Sequence, residues 1–242
     1  MTVISRPSDD LFLIPGLLCD YRLWSSQTQT LADIARGVVP DLTAHESIEA
    51  MAEALLNAAP EQFALAGFSM GGCVALEVMA RAPQSVRQLA LLSTSAAGLL
   101  PHVRQHYHES ITSLEAGGLA RYLADAFPRY VAASRLHDPL LWQIFSAMGN
   151  DLGATVAVRQ MRALLNYRGF SGDLRAIDCP TILICGDEGA RTPVATHEQM
   201  ARHIAGAELK VIQRSGHFTP LEQPSAVAVA LRQWLERSSV EA

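Results

Sequence analysis

Apolar positions in this chain fall into short unbroken runs separated by longer stretches with helical spacing. The runs are Leu11–Ile14, Gly37–Val39, Phe63–Phe68, Val86–Leu92, Thr181–Cys185 and Leu209–Ile212. They contain little polar alternation, which is the pattern of strands buried on both faces. Between them, Trp24–Ala35, Ser47–Ala58, Gly71–Arg81, Pro193–Ile204 and Ser225–Leu235 carry apolar residues three and four positions apart and read as helices. Ser47 is placed to cap its helix, and Glu49 and Glu53 suit the early turns, where the helix end is positive. Strands alternating with helices predict a mostly parallel sheet flanked by helices, an α/β fold.

The rhythm breaks once. From about residue 100 to 174 no strand pattern occurs, and helical segments run over His102–Ala116, Leu119–Ala126, Leu140–Met148 and Ala154–Leu165. The expected organisation is a core of residues 1–99 and 175–242 with a helical cap, residues 100–174, inserted between two core strands. Insertions of this kind often cover a site at the carboxyl edge of the sheet. Additional helical packing without a binding role is the alternative.

Composition narrows the classes. Apolar residues make up 49% of 242, charged residues 18%, and the formal net charge is -5. That is ample material for a core, and the charges are mixed rather than blocked. No basic stripe of the sort a nucleic-acid binder needs is present. No stretch reaches the roughly 18 apolar residues of a membrane helix, and Met1 to Asp10 lacks an apolar run of signal-peptide length. Cys19, Cys73, Cys179 and Cys185 form no CxxC pair, and no histidine cluster has zinc-ligand spacing. Reduced, structural thiols are expected, which suits a cytoplasmic protein, and no metal site is indicated.

The chemistry concentrates in two places. Gly67-Phe68-Ser69-Met70-Gly71-Gly72 lies between a strand and a helix, the setting of a GxSxG nucleophile elbow. Gly67 and Gly71 carry no Cβ to clash in so tight a turn, and the turn presents Ser69 at a helix N-terminus. The Met70 amide is then one candidate oxyanion donor, and the amide of Leu17, in the Pro15-Gly16-Leu17-Leu18 loop, is the second. A plain Pro-Gly turn is the simpler reading of that loop taken alone. Gly216-His217-Phe218 follows the last strand run, so His217 can reach a serine presented by a neighbouring strand's loop and shuttle its proton. His102, His106 and His108 lie on the insertion, and His45, His137, His197 and His203 lack any such context.

Together, PGLLCD, GFSMGG, LALLSTSA, TILICG and SGHFTPLEQP make the chain resemble the α/β-hydrolase superfamily over nearly its whole length. The resemblance is closest to small esterase-like members with compact helical caps, which use no cofactor. It implies a sheet that begins at the strand before Pro15, without the superfamily's usual first strand pair. It also implies an acid behind His217, a few residues after TILICG. That column holds Gly189, in Gly186-Asp187-Glu188-Gly189-Ala190-Arg191-Thr192-Pro193. The other place where relatives carry the acid falls near Ser93. Three readings stay open: Asp187 or Glu188 supplies the carboxylate, a Ser–His dyad works alone, or Gly189 is an inactivating change.

The expected function is a serine hydrolase acting on a small ester or related acyl compound with an apolar portion. The alternatives are an impaired member that only binds its ligand, and a lyase or C–C hydrolase on the same scaffold. For a lyase, Arg104, Arg129 or Arg162 on the insertion could hold an anionic substrate, though arginines on such an insert are usually solvated.

Overall fold

The computed structural model describes residues 10–237. The reading of Met1 to Asp10 and the outer ends of the core therefore fall largely or wholly outside the described residues.

Among the described residues, six strands form one parallel sheet: β1 (Asp10–Ile14), β2 (Arg36–Val38), β3 (Phe63–Phe68), β4 (Val86–Leu92), β5 (Thr181–Gly186) and β6 (Glu208–Ile212). Their spatial order is β2-β1-β3-β4-β5-β6. The centre of the sheet is apolar on both faces: every residue of β3 and β5 is buried, and in β4 only Arg87 is not. The described sheet begins with β1, directly before Pro15.

Helices cover both faces, as uninterrupted apolar strands require. They are α1 (Ser25–Thr30), α2 (Ile48–Ala58), α3 (Met70–Arg81), α7 (Val194–His203), α8 (Thr219–Glu222) and α9 (Pro224–Arg237). The Ser47 hydroxyl accepts from the Ala50 amide at 3.0 Å, the cap its position predicts. Helix α3 is buried from Met70 through Met79, and its small residues bring it close beneath the sheet.

One boundary differs from the pattern. The helix expected over Trp24–Ala35 is α1 alone, preceded by a turn of 3-10 helix at Tyr21–Trp24 and followed by turns in which the Ile34 and Ala35 amides both return to the Leu31 carbonyl. The segment Ser-Ser-Gln-Thr-Gln-Thr is a weak helix former, and the Thr28 hydroxyl bonds back to the Trp24 and Ser25 carbonyls. The two helices expected at Leu140–Met148 and Ala154–Leu165 are present as the two arms of α6 (Pro139–Asn166), which breaks at Gly153, where φ is 79° and ψ 172°.

Residues 100–174 contain α4 (Pro101–Glu115), α5 (Leu119–Tyr130) and α6, between β4 and β5. Side chains from all three reach the carboxyl edge of the sheet, where the loops after β1, β3, β5 and β6 converge. No helix among the described residues is long and apolar enough to cross a membrane.

Candidate active site

Ser69 connects β3 to α3 at φ 54°, ψ −114°, a conformation an L-residue adopts only when its surroundings impose it. The surroundings are tight. A Cβ at position 67 would lie 2.3 Å from the Gly71 carbonyl oxygen, and one at position 71 would lie 2.3 Å from that of Ile14. Glycine at both positions is therefore a packing requirement. The Ser69 amide donates to the Leu92 carbonyl, and its own carbonyl accepts from the Gly72 amide and from the Thr94 hydroxyl.

The turn aims the Ser69 hydroxyl at His217. Ser69 Oγ and His217 Nε2 are 2.9 Å apart, across 148 residues of sequence. His217 is buried between the Phe68 and Tyr130 rings, and its backbone amide donates to the Tyr130 carbonyl at 2.7 Å. The Glu222 carboxylate accepts the amides of Gly216 and Ala132, tying the histidine loop to the insertion just after α5. Burial, then the Arg191 charge, then His197, push the His217 imidazole down to about 3, so it is held neutral.

Neither Asp187 nor Glu188 reaches His217. Asp187 Oδ1 accepts the Ser215 amide at 3.1 Å, and Glu188 Oε2 accepts the Ala133 amide at 2.9 Å, so each carboxylate is engaged in holding a loop. The Ser93 hydroxyl faces Thr219, 3.5 Å away. The group opposite His217 Nδ1 is the Thr192 hydroxyl, at 3.3 Å, the long end of a hydrogen bond. With Nδ1–H donating to that oxygen, Nε2 is free to accept from Ser69.

The Leu17 side chain lines the cavity above Ser69. Its loop is turned by a bond from the Cys19 amide to the Gly16 carbonyl and pinned by the buried Gln160 of α6, whose Oε1 accepts the Leu18 amide at 2.8 Å. Met70 opens α3, so its amide has no carbonyl one turn earlier in the helix to bond.

The cavity is small and mainly aromatic. Phe68 and Phe218 come from the core; Tyr107, Tyr122, Tyr130 and Phe145 come from the insertion. The wider cleft between Leu114 and Arg162 shares no lining residue with this cavity, whereas another, lined by Pro15, Cys19, Met70 and Gln160, adjoins the elbow.

Sequence reasoning missed four residues here. Thr192 stands beside Gly189 in the same loop. Gln160 and Tyr107 carry no local signal, since only packing of the insertion brings them to the site. The fourth is Arg191, whose guanidinium donates to the Tyr107 hydroxyl at 3.0 Å and lies 5.7 and 5.2 Å from the Tyr107 and Tyr130 ring centroids. By contrast, Arg104 donates to the Leu165 carbonyl, Arg162 pairs with Glu115, and Arg129 is not among the cavity's lining residues. The buried His197 has a structural part: its Nε2 accepts the Thr94 amide and its Nδ1 faces the Pro193 carbonyl. All four cysteines are buried and unpaired.

A six-stranded parallel sheet whose strand–serine–helix turn meets a histidine from the loop after the last strand defines a class. The chain belongs to the alpha/beta hydrolase family, whose model matches residues 11–231. It is a hydrolase with esterase relatives. A pimeloyl-(acyl-carrier protein) methyl ester esterase of Aromatoleum aromaticum is 28% identical over an alignment of 254 residues that covers 94% of this chain and 98% of that one. A thermophilic esterase from Thermogutta terrifontis superposes with a TM-score of 0.88 at 26% identity, covering 95% of this chain and 90% of that one. The enol-lactonase from Burkholderia xenovorans shares the fold, with a TM-score of 0.85 at 18% identity and coverages of 95% and 92%.

Proposed function

We propose that this hydrolase cleaves a small ester with an apolar portion through a covalent acyl-enzyme on Ser69. The observation that carries the reading is the 2.9 Å approach of Ser69 Oγ to His217 Nε2 on a strained elbow, under a lining of aromatic rings. Ser69 Oγ attacks the ester carbonyl as its proton passes to Nε2. The resulting oxyanion is met by the amides of Leu17 and Met70, one from the loop after β1 and one from the start of α3. The intermediate collapses, the alcohol leaves with the proton from His217, and water repeats the sequence to free the acid and Ser69. Thr192 takes the orienting place of an acid, as a neutral hydrogen-bond acceptor.

The insertion of residues 100–174 serves as the cap, since it supplies four of the aromatic side chains over the serine. A cytoplasmic setting agrees with four buried free thiols. The test is turnover of short-chain p-nitrophenyl esters by the parent and by Ser69→Ala. Turnover lost in the variant supports the reading; equal rates, or an inert parent, overturn it. One observation favours a second reading, a ligand-binding protein with little turnover: no carboxylate contacts His217 among the described residues. An inert parent that still binds ester analogues in this cavity would select it.

A further inference from the structure

Charged groups taken out of water need a partner, and a guanidinium offers five N–H donors in a planar fork. Arg191 projects into the aromatic cavity from the loop after β5, beside Ser69 and His217. It donates to one phenol, the Tyr107 hydroxyl, and two tyrosine rings lie about its guanidinium. Among the described residues no carboxylate forms an ion pair with it. Several other arginines behave differently: Arg22 pairs with Asp20 and Asp151, Arg81 with Glu77, and Arg232 with Asp33 and Glu236. Asp187 and Glu188, the acids nearest in sequence, turn away to hold backbone amides. The cavity lining contains no acid at all.

We propose that Arg191 receives an ionised carboxylate of the substrate, so that the preferred esters carry a negative charge besides the scissile bond. The proposal rests on the hydrolase reading and names its substrate class. The planar fork keeps donors beyond the one given to Tyr107, and a carboxylate can accept two of them side by side. The tyrosine rings hold the guanidinium in place by cation–π contact, which pre-orders the site before the anion arrives. Tyr107 and Tyr130 belong to the insertion, so cap and core build this subsite jointly. An anion here also neutralises the positive charge that lies near His217, in a cavity where Gly189 supplies no negative one.

The experiment compares kcat/KM for esters matched in length with and without the charge. Mono-p-nitrophenyl adipate is set against p-nitrophenyl hexanoate for a charge on the acyl side. 4-Carboxyphenyl hexanoate is set against phenyl hexanoate for a charge on the alcohol side. The parent is expected to prefer the charged member of one pair by about 10- to 100-fold, the range of charge-assisted hydrogen bonds. In Arg191→Gln that ratio falls to within about twofold of one, and Arg191→Lys restores only part of it. No preference in either pair, or a preference that Arg191→Gln leaves intact, overturns the proposal. Should the parent turn over none of the four esters, the hydrolase reading fails and binding decides Arg191 separately. Calorimetry would then compare monomethyl adipate and methyl hexanoate on Ser69→Ala with and without Arg191→Gln. The charged ligand must bind at least about tenfold more tightly through Arg191; equal affinities sink the assignment.

Discussion

Replacing Gly189 by aspartate puts a carboxylate into the column where the α/β-hydrolase pattern carries its acid, and the local geometry says how much should change. The position tolerates a side chain. A Cβ there meets the Gly186 carbonyl oxygen at 3.2 Å and that of Gly216 at 3.5 Å, so neighbours yield by a few tenths of an ångström, and no left-handed φ stands in the way. The crowding costs up to about 1 kcal/mol, and loss of glycine freedom in the unfolded chain returns a similar 0.4–1 kcal/mol. Stability should hardly move. The effect on His217 is larger. Its Nδ1 now meets only the Thr192 hydroxyl at 3.3 Å, while burial and the Arg191 charge hold the imidazole down at about 3. A carboxylate within about 4–6 Å typically raises such a group by 1–3 units, and each unit is worth about 1.4 kcal/mol of imidazolium stabilisation. Because the imidazolium forms as Ser69 attacks, that stabilisation acts on the barrier. The expected gain in kcat is about 10- to 10³-fold, below the ~10⁴ lost when an existing triad acid is neutralised, because Thr192 already orients the ring. Stopped-flow or plate hydrolysis of p-nitrophenyl butyrate measures it, with thermal melts run alongside. The acid limb of the pH–rate profile should also move upward. A variant that melts like the parent yet gains less than threefold would refute the idea that His217 lacks a negative partner.

Thr192→Val removes the Nδ1 partner and should lower kcat about tenfold with little change in KM, measured on the same ester; an unchanged kcat removes Thr192 from the mechanism. Gln160→Leu leaves the buried Leu18 amide without its acceptor, so about 1–3 kcal/mol of stability should be lost and kcat should fall through the loosened Leu17 loop. Gly71→Ala forces a Cβ to 2.3 Å from the Ile14 carbonyl, and expression of folded protein should be severely reduced, read by size-exclusion yield. Acid should destabilise the fold early: His217 and His197 are neutral when folded, held down at about 3 and about 4, so below about 6.5 the unfolded chain binds protons that the native state refuses. Each buried imidazole then removes up to about 1.4 kcal/mol per pH unit, until pH reaches its folded value. Glu222, whose carboxyl burial pushes up, opposes this in part. A melting temperature that holds or rises between pH 7 and pH 5 would contradict the two neutral histidines.

The sheet and its covering helices are legible in the sequence because uninterrupted apolar runs have few uses besides a doubly covered parallel strand. The elbow is legible for a related reason: Gly67 and Gly71 are dictated by contacts of 2.3 Å that no other residue type survives. What failed to show was set by tertiary packing. Helix α1 stops early because its hydroxyls compete for backbone carbonyls. Tyr107 and Tyr130 reach the cavity over Ser69, and Gln160 reaches the Leu18 amide, only through the way the insertion folds back over the sheet, and periodicity cannot report that.

The loop after β5 shows most clearly where sequence and structure part. In the sequence, Gly189 reads as a defect and Asp187 and Glu188 as its remedies. In three dimensions both carboxylates are committed to amides, one at Ser215 and one at Ala133, and those bonds anchor the loops bearing His217 and the cap. Moving either acid to the imidazole would free a loop that the site depends on, so local replacement of the acid conflicts with keeping the site assembled. From this loop Arg191 faces the cavity and Thr192 faces His217 Nδ1, one a cation and one a neutral hydroxyl. Beside the histidine this loop thus presents a positive charge and no negative one. A site built this way favours a substrate that brings the missing charge with it. That is why the ratio of charged to neutral ester turnover, and its response to Gly189→Asp, measure one electrostatic balance: the added carboxylate should raise turnover of the neutral ester more than that of the charged one. The opposite order would mean that Arg191 and position 189 act independently.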